Sequence, residues 1–265
     1  KALNMNKINQ LFENRKKNIL SIFFTAGYPQ LDSTIQILRI LESKGVDMVE
    51  IGIPYSDPLA DGPIIQQSSS IAIQNGMNLD LLFEQLERIK GKVNIPIVLM
   101  GYYNPVMQYG IEKFCKKAAS VDVSGIILPD LPMHEYELKY KRYFEGNNLS
   151  IIYLITPQTP VDRVKVIDNI SNGFIYAVSS SSTTGSSSEF SSSQVEYLER
   201  VKLMNLKNPV MIGFGIHNKS TLNAAWNFAS GAIIGSAFIN KLSDNSSIED
   251  ATQRLLNQLG YVGME

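Results

Sequence analysis

The sequence predicts an α/β protein: one closed (β/α)8 barrel with an extra N-terminal helix, spanning residues 1–265 as a single domain. Short runs rich in β-branched residues alternate with longer helical patterns along the chain, which is typical of βαβ units and a parallel sheet. Eight such runs occur, and eight parallel strands with crossover helices are what a closed barrel requires. A length of 265 residues fits one barrel of this kind.

The predicted elements follow one another in a regular order. A leading helix is expected near residues 6–15. The eight predicted strands are residues 20–24, 48–53, 97–101, 125–128, 151–155, 174–178, 210–213 and 232–235. An open doubly wound sheet is the alternative fold, but it usually has fewer strands, and no G-x-G-x-x-G follows the first strand here.

Helical patterns with one apolar side fill the connections between strands. Asp32 is expected to cap a helix that carries Ile37, Leu38, Ile40 and Leu41, and Gly45 to end it in a left-handed turn. In residues 80–90, an apolar stripe is expected to pack against the outside of the sheet; it consists of Leu82, Phe83, Leu86 and Ile89.

Composition excludes several classes of function. With 24 Lys and Arg against 25 Asp and Glu, the net charge of -1 gives no field to hold a polyanion, so neither nucleic acid nor a membrane is expected as a partner. The single Cys115 cannot form an internal disulfide, and His134 and His217 leave no cluster for zinc. The apolar runs are far shorter than the roughly 18 residues of a membrane span. We therefore expect a cytoplasmic protein with metal-free chemistry.

A carboxylate interrupts the second predicted strand. Because side chains alternate, Met48, Glu50 and Gly52 share one face of the strand, and Val49 and Ile51 share the other. Both faces of a barrel strand are buried, so Glu50 is desolvated unless it reaches the upper mouth, and desolvation raises a carboxyl pKa. We favour a catalytic proton donor and acceptor over the alternative, a Glu paired with a buried Lys or Arg.

The loop after this strand holds the candidate second carboxylate, Asp61. Three prolines and a glycine make residues 54–63 rigid, so the loop can hold a carboxylate at a set distance from the strand end. From the residues alone, the favoured interpretation of Asp61 is the N-cap of a helix that begins near Pro63.

Small residues end three consecutive strands on the other side of the predicted mouth. Strand seven ends in Gly213-Phe214-Gly215 and strand eight in Gly235-Ser236, just before a helical run. Glycine allows close backbone approach, and free N–H groups at a helix start favour an anion. Thr184 and Gly185, after strand six, can complete a cup formed with the turns that end strands seven and eight. We expect a phosphate site between these turns.

Two tyrosines and a serine-rich stretch complete the candidate site. Tyr102 ends strand three and Tyr176 lies in strand six; core packing is one interpretation, and contact with a planar substrate is the favoured one. In residues 179–193, ten of fifteen residues are serine. Such a segment buries little apolar area, and its place after strand six suggests a lid as well as a plain linker.

The run from Glu50 to Gln66 closely resembles the signature of the tryptophan synthase α subunit family. Further segments resemble family motifs in family order over nearly the whole chain: residues 23–29, 102–105, 128–132, 213–216 and 235–237. The resemblance implies a (β/α)8 barrel that needs no cofactor of its own. It also implies retro-aldol cleavage of indole-3-glycerol phosphate to indole and glyceraldehyde 3-phosphate.

The resemblance also implies roles for individual residues. Glu50 would protonate the indole ring carbon and relay the proton of the glycerol hydroxyl, while Asp61 would stabilise or remove charge at the indole nitrogen. Tyr176 matches a supporting tyrosine. The positions matched around the indole are Phe23, Tyr102 and Ile127, and those matched in the phosphate cup are Gly185, Gly215, Gly235 and Ser236.

A partner follows from the same resemblance. The family works with a pyridoxal-phosphate β subunit and passes indole to it, which implies an α2β2 heterotetramer and a contact at the loop around Asp57 and Pro58. The chain departs from the family where Ser180 and Ser182 replace the usual Arg and Gly after strand six, and the departure bears on lid closure. The alternatives are a stand-alone lyase and a non-catalytic barrel that activates a partner; a generic phosphate-binding barrel lacks this carboxylate spacing.

Overall fold

The eight predicted strands form a closed parallel barrel in the computed structural model, which describes residues 5–179, 190–244 and 246–263. Each strand pairs with the next one along the chain, and β1 also pairs with β8, with Ile19 beside Gly231, so the open-sheet alternative is wrong. The strands are β1 (Ile19–Thr25), β2 (Met48–Gly52), β3 (Ile97–Met100), β4 (Val123–Ile127), β5 (Ser150–Ile155), β6 (Ile175–Val178), β7 (Val210–Gly213) and β8 (Gly231–Ile234).

Helices surround the barrel on the outside. Those up to β5 are α1 (Lys7–Asn14), α2 (Ser33–Ser43), α3 (Pro63–Gln74), α4 (Leu79–Ile89), α5 (Tyr103–Tyr109), α6 (Ile111–Ser120), α7 (Met133–Glu135) and α8 (Lys141–Gly146), with a π-helical turn at Tyr136–Tyr140 between the last two. After β5 come α9 (Val161–Ile170), α10 (Ser192–Leu203), α11 (Lys219–Phe228), α12 (Ser236–Leu242) and α13 (Ile248–Leu259). Among the described residues, none of the helices has the length and apolar character needed to span a bilayer.

Alternation along the strands produces two apolar layers. In β1, Ile19 and Phe23 point into the lumen, whereas Leu20 and Ile22 point outward to the helices. Other strands contribute to the lumen in the same way, with Met48, Val98, Ile127, Ile152, Phe174, Tyr176, Val178, Met211 and Ile233. The lumen is therefore a packed core and not a pore, as is usual for eight-stranded barrels.

The predicted leading helix is α1, and it closes the lower end of the barrel. Its residues Ile8 and Phe12 pack into the luminal layer, and the Phe12 ring lies 6.1 Å from that of Phe174. Asn6 caps the helix: its side chain accepts from the Ile8 N–H and donates to the carbonyl of Ser124 at 2.7 Å. These contacts fix α1 across the lower ends of the strands.

The predicted ends of α2 are confirmed in position, but the predicted N-cap forms no side-chain hydrogen bond. Gly45 has φ +76°, the left-handed conformation expected after the helix. Asp32 occupies the N-cap position, but its side chain makes no capping hydrogen bond. The Ser33 hydroxyl accepts from the Gln30 N–H at 3.2 Å, which stabilises the turn before the helix. The stripe predicted for α4 is confirmed, since all four of its apolar residues are buried.

Candidate active site

Glu50 lies inside the barrel lumen. The alternation in β2 places it on the same face as Met48, a luminal residue, while Val49 and Ile51 belong to the outer layer. Its neighbours in register are Phe23 on β1 and Val98 on β3, and its side chain is 0% exposed. A carboxyl group is therefore held among apolar side chains.

The electrostatics of Glu50 follow from this burial. Its Oε1 accepts a hydrogen bond from the Ser21 hydroxyl at 3.4 Å, and Oε2 has no hydrogen-bond partner among the described residues. None of the ion pairs in the described part of the chain involves Glu50. Desolvation raises the pKa of Glu50 to about 8, and the Ser21 hydroxyl lowers it by a smaller amount. A carboxyl with such a pKa can give and take a proton near neutral pH.

Asp61 lies in the loop between β2 and α3. Its Oδ2 accepts a hydrogen bond from the Tyr102 hydroxyl at 3.0 Å, and the same hydroxyl accepts from the Ala60 N–H at 3.1 Å. Burial raises the pKa of Asp61, and the bond from Tyr102 opposes that rise. The N-cap interpretation is wrong: Gly62 is the N-cap of α3, and no side chain caps that helix.

Tyr176 lies in β6, and its hydroxyl reaches Gly213 at the end of β7. Burial raises its pKa well above the usual value, and the charges of Glu50 and Asp61 raise it further, so both carboxyls act electrostatically on this tyrosine. The ring lies directly over Gly213, where an added Cβ would be 2.1 Å from the Tyr176 hydroxyl oxygen. Gly213 is thus needed to make room for this tyrosine.

Phe23 and Ile127 both belong to the luminal layer, and Phe23 is the neighbour of Glu50 in register. Phe23 is 8% exposed, and Ile127 is fully buried. The Phe23 ring fills space left by two glycines: an added Cβ would lie 2.5 Å from it at Gly52 and 3.3 Å from it at Gly235. Phe23 therefore links the Glu50 side of the mouth to the end of β8.

The ends of β7 and β8 expose backbone rather than side chains. Phe214 and Gly215 both have left-handed φ values, +69° and +74°. The Ser179 hydroxyl donates to the Gly213 and Phe214 carbonyls at 3.0 and 2.6 Å and so supports this turn. Gly235 is the N-cap of α12, which begins at Ser236, and the first N–H groups of a helix lack intrahelical acceptors. Such backbone donors suit an anion.

Comparison with known proteins decides the family. The sequence model described as "Tryptophan synthase alpha chain" matches residues 9–263. The chain belongs to the tryptophan synthase alpha chain family. It is 56% identical to the tryptophan synthase alpha chain of Flavobacterium psychrophilum over 91% of this chain and 95% of that protein. Its identity to that of Parabacteroides distasonis is 49%, over 96% and 99% of the two chains.

Solved structures agree with the sequence relatives. A Mycobacterium tuberculosis tryptophan synthase chain superposes with a TM-score of 0.87 at 27% identity, covering 99% of this chain and 100% of that one. A tryptophan synthase alpha subunit from Pyrococcus furiosus superposes at 0.84 with 31% identity, covering 92% and 98%. Membership of the tryptophan synthase alpha chain family makes this chain a carbon–carbon lyase and implies a complex with a β subunit.

The loop predicted to meet a partner is exposed. Asp57 is exposed and Pro58 half-buried, and the Ser56 hydroxyl donates to Asp57 at 2.5 Å. Leu59, next in the chain, is 91% exposed, which is unusual for so large an apolar side chain. Within this tryptophan synthase alpha chain homologue, Tyr55 connects the loop to the site, since its ring lies 5.1 Å from that of Tyr102.

Some predicted site residues lie outside the described part of the chain, and some contributors were not predicted. Thr184 and Gly185, expected in the phosphate cup, fall outside the described residues, as does most of the serine-rich stretch. Ser21 was missed because a single serine in an apolar strand is common; its place two residues before Phe23, on the luminal face, was the available signal. Tyr102 was predicted at the mouth, but its bond to Asp61 was not.

Proposed function

We propose that this chain cleaves indole-3-glycerol phosphate into indole and glyceraldehyde 3-phosphate, with Glu50 as the group that moves the proton. The observation that carries the proposal is a fully buried carboxyl without a cationic partner in the described structure, in a chain of the tryptophan synthase alpha chain family. Asp61 and Tyr176 would complete the proposed catalytic set, and the electrostatic effect of both carboxyls on Tyr176 supports this grouping.

The reaction needs one proton at the ring and loses one from the glycerol chain. Glu50 gives its proton to the indole carbon that bears the glycerol substituent, and the ring becomes an electron sink. The carbon–carbon bond then breaks, its electron pair returns to the ring to form indole, and the adjacent hydroxyl becomes the aldehyde. The hydroxyl proton passes to the Glu50 carboxylate, so the acid is restored. A pKa of about 8 suits both directions of this transfer near neutral pH.

Asp61 is proposed to act at the other side of the ring. A carboxylate there accepts the indole N–H and stabilises the positive charge that develops when the ring is protonated. The Tyr102 hydroxyl donates to Asp61 at 3.0 Å and favours its ionised form. Two carboxyl groups in different surroundings can thus divide the work, one donating a proton and one staying charged.

The remaining predicted residues are proposed to hold the substrate. Phe23, Tyr102 and Ile127 would surround the indole ring. The backbone at Phe214, Gly215, Gly235 and Ser236 would bind the phosphate, together with Thr184 and Gly185. Binding energy at the phosphate end orients the reacting carbon against Glu50.

The partner is proposed to be a pyridoxal-phosphate β subunit in an α2β2 complex. The exposed Leu59, beside Asp57 and Pro58, supports a protein contact at this loop. A stand-alone lyase is the alternative to this complex, whereas the lyase activity of the family and the intact carboxylate pair argue against a non-catalytic activator. The assignments to one domain over residues 1–265 and to the cytoplasm stay predictions from sequence.

The decisive experiment replaces the acid. Glu50→Gln keeps the shape of the side chain and removes the transferable proton, so indole release should fall by about 100-fold to 10,000-fold. Release is measured with and without a β subunit, and circular dichroism checks the fold. Strong stimulation of the parent chain by the β subunit favours the complex over the stand-alone lyase, whereas release by Glu50→Gln at the parent rate would refute the proposed acid.

A further inference from the structure

Ser21 introduces a polar group into the luminal layer of β1. Its luminal neighbours along the strand are Ile19 and Phe23, and Ser21 itself is 0% exposed. A buried hydroxyl costs free energy unless it forms a hydrogen bond. Here the acceptor is Oε1 of Glu50, at 3.4 Å, on the neighbouring strand.

The two oxygens of Glu50 are therefore not equivalent. Oε1 has the Ser21 donor, whereas Oε2 has no hydrogen-bond partner in the described structure. Within the described residues, Ser21 is the one side chain that forms a hydrogen bond with this carboxyl. Without it, the apolar neighbours Met48 and Val98 would leave the carboxyl orientation to packing alone.

The bond has properties that suit a proton-transfer group. In apolar surroundings a hydrogen bond is stronger than in water, and it favours whichever protonation state it contacts better. A hydroxyl donor favours the carboxylate, so Ser21 opposes the effect of burial on Glu50. Its length of 3.4 Å fits a bond that shortens once substrate is bound, as catalytic hydrogen bonds often do.

We propose that Ser21 is a positioning residue for Glu50: it holds Oε1 and leaves Oε2 as the oxygen that exchanges the proton with substrate. The inference rests on the proposed function and adds to it a group that acts through Glu50 without contacting the substrate. A merely structural serine would fill space in β1, and alanine, lacking only the hydroxyl, would replace it with no effect on the carboxyl.

The experiment compares Ser21→Ala, Ser21→Thr and Ser150→Ala in the full chain. Thr keeps the hydroxyl, and Ser150 is a serine on β5 that is only 1% exposed, so it controls for loss of a buried barrel hydroxyl. Infrared titration of chains labelled with carbon-13 glutamate follows the Glu50 carboxyl, and the band is assigned by its loss in Glu50→Gln. Indole release gives kcat and KM over the same pH range, and thermal unfolding checks the fold.

Five results are expected if Ser21 positions the acid. In Ser21→Ala the titration of Glu50 moves to higher pH, and kcat at neutral pH falls about threefold to tenfold, the usual worth of one hydrogen bond. KM changes less than kcat. Ser21→Thr restores the titration of Glu50 and kcat, and Ser150→Ala alters neither the titration nor kcat.

Two results would overturn the proposal, and they are distinguishable. An unmoved Glu50 titration in Ser21→Ala, with Glu50→Gln inactive, refutes the positioning role and leaves the proposed function standing. Undiminished indole release by Glu50→Gln refutes the assignment of Glu50 as the acid, and the positioning role of Ser21 falls with it.

Discussion

Asp168, on α9 at the lower end of the barrel, is a buried carboxylate that accepts several hydrogen bonds. Glu50, inside the lumen, accepts one. Asp168 accepts from the backbone N–H groups of Lys207 and Asn208 at 2.9 and 3.0 Å, and from the Asn208 side-chain amide at 2.8 Å. Asp47, just before β2, likewise accepts from Arg15, from the Leu20 N–H and from the Tyr261 hydroxyl.

The difference separates structural carboxylates from a chemical one. Asp168 and Asp47 tie loops and helices to strand ends, so their hydrogen bonds offset the free energy of burial. Glu50 ties nothing in place, and its Oε2 has no partner in the described structure. Burial alone does not mark a functional carboxyl, since it raises the pKa of Asp47 as well. What distinguishes Glu50 is burial without compensating partners, which raises its pKa to about 8.

The sharpest test of this comparison is the pH dependence of stability. With a pKa of about 8 in the folded chain against 4.5 normally, Glu50 binds its proton more tightly when folded. The free energy that this proton contributes to folding is fully present below the unfolded-state pKa of Glu50, and it is lost as pH rises through about 8. Relative to wild type, Glu50→Gln should gain about 3 to 4 kcal/mol of unfolding free energy between pH about 5 and about 9. Urea unfolding at several pH values measures this, and parallel curves for the two chains would contradict it.

Removing a carboxylate that is fully hydrogen-bonded should lower stability and leave activity unchanged. Asp168→Ala leaves the N–H groups of Lys207 and Asn208 without their acceptor, at a cost of about 2 to 3 kcal/mol in unfolding free energy. Indole release below the unfolding transition should not change, because α9 lies outside the site. Asp162→Ala, an exposed residue on the same helix, is the control and should cost less than about 1 kcal/mol. Reduced indole release by folded Asp168→Ala chains would contradict a purely structural role for Asp168.

The smallest expected effect concerns the second site carboxylate. Tyr102→Phe removes the donor to Asp61, so the pKa of Asp61 rises further and indole release at neutral pH should fall about threefold to tenfold. Tyr103→Phe removes a neighbouring hydroxyl that bonds to Tyr140 at 2.6 Å and serves as the control. Steady-state kinetics across pH measures both, and equal effects of the two variants would argue against a role for the Tyr102 hydroxyl at Asp61.

Sequence predicted the barrel well because strand signals are local. Runs such as β2 carry β-branched residues and a strict alternation, which already placed Glu50 and Met48 on one face. The bond between Tyr102 and Asp61 joins residues 41 apart in sequence, and nothing local encodes it. The left-handed φ of Phe214 was equally hidden, since that conformation is rare for a bulky residue and depends on the Ser179 contacts around it.

The helix that precedes the barrel, α1, limits the routes by which molecules can reach Glu50. Ile8 and Phe12 pack α1 into the base of the lumen, and the Asn6 side chain donates to the Ser124 carbonyl. In the described structure, α1 therefore closes the lower end of the barrel. Molecules therefore reach and leave Glu50 through the upper part of the barrel. A protein bound over that end would therefore control access to Glu50.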